Sequence, residues 1–189
     1  MQYVQADADY GTAGSVRNAM KECNEPFLVM SGDVLTDIDL TSAIAFHEEH
    51  ASKATILLSR VQDPLHYGIV MTQPDGKISQ FLEKPSWGEV FTDTINTGMY
   101  ILEPEIISMI PPERDYDFGK DVFPHMLRSS MDLFGCITQG YWKDIGNLHE
   151  YQSACHDVLQ EQVHIQITGT ERPHAIVADN AVIPDTVSF

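Results

Sequence analysis

Two aspartates carry the clearest chemical signal in this sequence. Asp33 ends the apolar run FLVMSGD and Asp144 ends the aromatic run GYWKD, each near a glycine that lets backbone approach a ligand. Ligands of open α/β sheets sit outside the carboxyl ends of strands, so two carboxylates there can converge on one hard cation such as Mg2+. Taken alone, each aspartate also suits the turn that follows a strand. Glu83-Lys84-Pro85 closes the run ISQFL. Neighbouring side chains at a strand end point to opposite faces, so one can meet sugar-like hydroxyls and the other a phosphate. Asn96-Thr97-Gly98 heads a further run, and its amide both donates and accepts, as a polyol requires, or simply starts a strand. The run His47-Glu48-Glu49-His50 puts two histidines on one helix face, which a metal could use, although such a charged helix end reads first as a solvated face. His66, His125, His149 and His156 stand singly and read as packing or surface residues.

The elements that must position these groups follow from spacing. Val16, Ala19, Met20 and Cys23 recur at i, i+3, i+4 and i+7, which predicts a helix over 15–23 beneath the turn Gly11-Thr12-Ala13-Gly14. Asp39 reads as the N-cap of a helix over 40–50 with Leu40, Ala43, Ile44 and His47 on one face. FLVMS reads as a buried strand and ATILLSR as another, and helix alternating with strand is the pattern of a parallel α/β sheet. YGIVMTQ and ISQFLEK flank Pro74-Asp75-Gly76-Lys77, whose Asp-Gly pair suits a hairpin turn. INTGMYILE is a further strand, with Pro104 opening a short helix. Residues 117–128 read as helical, LFGCIT and GYWKD as strands, and Asn147 as the cap of a last helix reaching about Gln160. The expected fold is an α/β sheet with an inserted antiparallel portion. Beyond it, Val177, Ile183 and Phe189 fall at a period of six, and Ala181 and Val187 repeat the spacing. Such periodicity suggests a coil of a parallel β-helix, and a loop followed by an edge strand gives the same pattern.

Composition narrows the chemistry. The 189 residues are 43% hydrophobic and carry 11 Lys plus Arg against 28 Asp plus Glu, a net charge of −17. A phosphate backbone or an anionic membrane is recognised mainly by Lys and Arg, so neither is the expected partner. An anionic substrate would instead need backbone amides, a few placed lysines or a divalent cation. Cys23, Cys136 and Cys155 are widely spaced, without a C-x-x-C pair, and point to a reducing cytoplasm. No run is long and apolar enough to read as a signal or a membrane span. Nucleophile-elbow, P-loop, dinucleotide-fingerprint and H-E-x-x-H motifs are absent, which removes hydrolase-triad and P-loop chemistry.

The segments GTAG, SGD, YGIV with its DGK turn, FLEKP, INTGMY and GYWKDIG, in this order, resemble the sugar-1-phosphate nucleotidylyltransferases, and most of all the mannose-1-phosphate guanylyltransferases among them. The resemblance spans Tyr3 to about Gln160 and implies a Rossmann-like nucleotidyltransferase sheet at 1–160. It further implies, at 161–189, a linker and the start of a left-handed β-helix. Such enzymes join a nucleoside triphosphate to a sugar 1-phosphate with Mg2+ as cofactor. Carried over by position, Gly11 would lie against the nucleobase. Asp33 and Asp144 would hold Mg2+ between the nucleotide α-phosphate and the sugar phosphate. Gly68 would present backbone to the sugar, Glu83 and Asn96 would bind its hydroxyls, and Lys84 would pair with its phosphate.

The sequence also departs from that family. The G-x-G-T-R loop and the Pro-Lys segment that cradle the triphosphate are not found, and Tyr10 stands where a leucine is usual. Met1 falls where the family is already well into its nucleotide-binding half, so a missing strand-loop-helix unit, exposed sheet edges and inactivity of this chain alone are expected. A non-catalytic sugar-phosphate-binding or regulatory subunit, forming a homo-oligomer or pairing with a complete homologue, is an alternative. A glucose-1-phosphate uridylyl- or thymidylyltransferase is another.

Overall fold

A computed structural model describes residues 4–5, 8–20, 23–172 and 175–184. In chain order its elements are α1 (Gly11–Ala19), β1 (Phe27–Met30), β2 (Val34–Thr36), α2 (Leu40–Glu49), β3 (Ala54–Arg60), β4 (Gly68–Thr72), β5 (Ile78–Glu83) and β6 (Thr94–Leu102). They continue with α3 (Glu105–Met109), a π-helical turn (Phe118–Val122), α4 (Phe123–Arg128), β7 (Leu133–Ile137), β8 (Trp142–Asp144), α5 (Leu148–Leu159), β9 (Thr170–Arg172) and β10 (Ala175–Val177).

The main sheet runs β5-β4-β6-β3-β7, with β1 also paired to β6. It is mixed rather than parallel. β3 and β7 pair in parallel, but β6 lies antiparallel between β1 and β3. β1, β3 and β7 therefore share one direction, as helix-strand alternation predicts, while β6 arrives after the hairpin and enters reversed. The hairpin forms as expected, with β4 and β5 antiparallel and Gly76 at φ +86° in its turn.

Strand alternation divides the core between two faces. Ile56 and Leu58 of β3 and Tyr100 and Leu102 of β6 pack with Phe118, Phe123 and Met126, while Leu57, Met99 and Ile101 face Ala43 of α2 on the other side. Each such burial contributes about 1.5–3 kcal/mol. At Gly135 of β7 the packing leaves no room. A Cβ there would lie 2.5 Å from Leu58 Cδ1 and 2.9 Å from Thr72 Cγ2. Gly135→Ala is expected to cost about 1–3 kcal/mol through overpacking, seen as a melting temperature lowered by several degrees in a calorimetric scan.

Two local expectations are corrected, and a third is not shown among the described residues. The first helix begins at Gly11 and ends at Ala19, because Ala13 and Gly14 donate backbone N–H groups to Tyr116 O at 2.9 and 3.1 Å and so draw the GTAG segment into its first turn. Of the residues placed beyond its end, Lys21 and Glu22 lie outside the described residues. The strand at Phe27–Met30 is only half buried: Phe27 and Val29 pack against the core, whereas Leu28 and Met30, on its other face, are 36% and 43% exposed. The segment read for a β-helix coil holds β9 and β10 as an antiparallel pair, and Val187 and Phe189 lie outside the described residues.

Candidate functional site

The two aspartates meet because of a strand pair too short to announce itself in the sequence. β2 and β8, three residues each, pair antiparallel with Val34 opposite Asp144, and Ile145 N donates to Asp33 O at 2.8 Å. Both carboxylates line a cleft of about 210 Å3, which Gly68, Glu83, Lys84 and Asn96 also line. Six of the seven expected site residues are thus brought together, and Gly11 is the exception.

Glu83 and Lys84 reach the same cleft, contrary to the expectation of opposite faces. The reason is local: Lys84 sits at φ +45°, in the left-handed region, so strand alternation stops at Glu83. Holding a non-glycine residue there costs about 1–3 kcal/mol, and its N–H donates to Tyr67 O at 3.2 Å. Glu83 is seated between two glycines, since a Cβ on Gly68 or Gly119 would come within 2.7 or 2.6 Å of its Oε2. Asn96 stands inside β6 rather than at its head. It accepts from Gly98 N at 3.0 Å and donates to the Tyr100 hydroxyl at 3.1 Å, leaving one N–H and one lone pair free for a ligand. Gly98, at φ +77°, occupies the bulge where β6 slips against β3.

Gly11 lines a separate cleft with Asp9, Thr12, Asp115 and Asp117. At φ +66°, its hypothetical Cβ would collide with the Asp115 carboxylate and Tyr116 O, so the need for glycine has an intramolecular cause. The His47–His50 pair is no metal site. His47 is buried and hydrogen-bonds Thr55 Oγ1 at 2.8 Å, whereas His50 stacks on Phe46 at 4.1 Å between ring centroids.

Sequence reasoning missed several residues of the cleft, among them His66, Tyr67 and Trp142. The indole of Trp142 donates to Thr97 O at 3.0 Å and meets the Tyr67 ring edge-on at 5.4 Å. A signal for it existed: Trp142 and Asp144 are two apart on one strand and must share a face.

Burial pushes the Asp144 carboxyl above the usual range, the Asp33 and Glu150 carboxylates add to the rise, and Lys84 opposes it. Burial likewise raises Glu83, with Asp117 adding and Lys84 and Lys120 opposing. This crowding tests whether a cation fits. No group of three or more His, Cys, Asp or Glu that could hold a metal occurs among the described residues. Mg2+, however, is commonly held by one or two carboxylates with waters and substrate phosphates completing its shell. Two mutually repelling oxygen donors on one cleft fit that requirement.

A pH dependence follows with its sign. A carboxyl raised on folding binds its proton more tightly in the native state, so its contribution to stability grows as pH falls through the raised value and is lost as pH rises through it. Cation binding needs the deprotonated form and runs the other way. A divalent cation held by these carboxylates would bind more weakly on acidification, while the cation-free chain gains stability from Glu83 and Asp144. Parallel thermal scans against pH, with EDTA and with Mg2+, measure both trends.

Comparison with known proteins identifies a family and several relatives. The Nucleotidyl transferase family model matches residues 1–161. A UTP–glucose-1-phosphate uridylyltransferase of Synechocystis sp. is 39% identical over 168 residues, covering 85% of this chain and 43% of that protein. A mannose-1-phosphate guanylyltransferase of Mycobacterium tuberculosis is 30% identical over 185 residues, 97% of this chain and 51% of that one. The chain thus spans about half the length of these curated relatives. Among solved structures, HddC from Yersinia pseudotuberculosis complexed with GMP-PN superposes with a TM-score of 0.66 at 28% identity, covering 81% of this chain and 64% of that one. A UDP-glucose pyrophosphorylase complexed with UDP-glucose shares the fold at a TM-score of 0.72 and 18% identity, over 85% of this chain and 66% of that one.

Proposed function

Because the chain belongs to the nucleotidyl transferase family, we propose that its cleft binds a sugar 1-phosphate beside a divalent cation, for transfer of a nucleotidyl group from a nucleoside triphosphate. The observation that carries this reading is the convergence of Asp33, Gly68, Glu83, Lys84, Asn96 and Asp144 on one cleft. Glu83 and the free valences of Asn96 suit sugar hydroxyls, and Gly68 lets the sugar approach the strand. Lys84 supplies the ammonium for the phosphate. Asp33 and Asp144 would hold Mg2+, which supplies charge neutralisation between two phosphates.

In the reaction an oxygen of the sugar phosphate forms a bond to the α-phosphorus, the bridging α–β P–O bond breaks, and its electron pair leaves with pyrophosphate. The chain's task is alignment of two anions that repel each other, and no side chain need exchange a proton. Gly11, on a neighbouring cleft, is proposed to face the nucleobase side. GTP and mannose 1-phosphate are the favoured pair, on the resemblance of the six segments taken together to the mannose-1-phosphate guanylyltransferases. The 39% identity to a uridylyltransferase makes UTP with glucose 1-phosphate the second reading. We further propose that the segment after residue 160 leads toward a β-helix, and that the protein works in the cytoplasm.

Isothermal titration of the chain with mannose 1-phosphate and with glucose 1-phosphate, each with MgCl2, tests the site, with GTP and UTP in parallel. Saturable, Mg2+-dependent binding of one sugar phosphate is expected. Failure of both sugar phosphates to bind a folded chain would sink the reading.

A further inference from the structure

Lys143 and Asp144 are consecutive in β8, so their side chains take opposite faces. Asp144 lines the cleft. On the far face, Lys143 Nζ donates to Asp157 Oδ2 at 2.6 Å and to Ser153 Oγ at 2.7 Å, both on α5. Tyr141, the residue before β8, donates its hydroxyl to the same Asp157 oxygen at 2.6 Å. Its backbone N–H is held by Asp37 Oδ1, also at 2.6 Å. The Lys143 and Asp157 side chains are 20% and 17% exposed, against 62% and 53% for the surface pair Arg60–Asp93. A ladder of three residues to β2 is the strand pairing of β8 among the described residues, too little by itself to fix a metal ligand to the tolerance such sites need.

We propose that Asp157 is a positioning residue for the cation site, gripping β8 through Lys143 and Tyr141 so that the Asp144 carboxylate is presented opposite Asp33. This inference rests on the proposed cation site and deepens it. The grip also explains why α5 is fastened to β8 by charged hydrogen bonds although Ala154 is its only fully buried residue. A purely apolar contact would hold the helix without fixing the strand's rotation.

The test is titration of Mn2+ into the chain with mannose 1-phosphate or glucose 1-phosphate present, bound ion being read by electron paramagnetic resonance. Asp157→Asn is expected to weaken Mn2+ about tenfold and to broaden the bound-ion spectrum. Tyr141→Phe, which keeps the Lys143 arm, is expected to weaken it less, and Asp157→Glu to restore part of the loss. Asp132→Asn removes the same charge from the remote Lys77–Asp132 pair, 2.7 Å long, and is expected to leave Mn2+ affinity unchanged. Native affinity and spectrum in Asp157→Asn, folded by circular dichroism, would overturn the inference while leaving the cation site standing. If Asp157→Asn does not fold, native Mn2+ affinity in Tyr141→Phe overturns it equally. A parent chain that binds no Mn2+ under these conditions overturns the cation site and the inference together.

Discussion

Asp144→Asn is expected to melt at a higher temperature than the parent chain in EDTA and to lose the stabilisation that Mg2+ with a sugar 1-phosphate would confer at the proposed site. Both effects have one origin. Burial and the neighbouring Asp33 and Glu150 carboxylates disfavour the charged form of Asp144, so a neutral amide relieves a native-state repulsion. A cation reverses that balance, because it needs the very charge the fold tolerates poorly. The Mg2+-dependent gain in sugar-phosphate affinity is expected to fall at least about tenfold, or about 1.4 kcal/mol. Asp33→Asn is expected to remove the same gain. A lowered melting temperature with an intact Mg2+ response would instead mark Asp144 as an ordinary turn aspartate. Calorimetry in EDTA and in MgCl2, on the same preparation, separates the two results.

Lys84→Ala is expected to weaken sugar 1-phosphate binding by about 1.5–3 kcal/mol, roughly 10- to 150-fold, the range for a hydrogen bond to a charged group. Its stability is expected to fall modestly, because the ammonium that offsets the Glu83 and Asp144 carboxylates is lost. Alanine pays the same left-handed backbone cost at φ +45° as lysine, so the substitution removes the ammonium and leaves the turn as it was. Lys84→Arg restores the charge with a longer, planar head and is expected to recover only part of the affinity. Titration with mannose 1-phosphate and glucose 1-phosphate at fixed MgCl2 reads the loss, and normal affinity in Lys84→Ala would remove the lysine from the phosphate site. Raised salt is expected to narrow the gap between variant and parent, since the lost contact is charged and partly open to solvent.

The limits of sequence reading follow particular residues. The Asp-Gly turn, the Asn147 cap and the β3 run were legible because their signals are local: a positive φ, a side-chain oxygen facing free N–H groups, an apolar run. Asn147 does accept from Glu150 N at 3.0 Å. The capping of 40–50 by Asp39 was legible for the same reason, with Thr41 N donating to its carboxylate at 2.9 Å. β2 was not legible, because three residues carry no period, and its pairing with β8 joins positions more than a hundred residues apart. The direction of β6 was hidden too, since an apolar run reads the same whichever way it enters a sheet.

What the sequence by itself determined is the chemistry available: two carboxylates at strand ends, an adjacent Glu and Lys, an amide before a glycine, and 11 basic against 28 acidic residues. Residue type settles such properties before any folding. Only the tertiary structure decided that Asp33 stands beside Asp144, that Lys84 turns back toward Glu83, and that Gly11 belongs to another cleft. Those outcomes depend on long-range pairing and on one left-handed residue, whose energies arise only when distant segments meet.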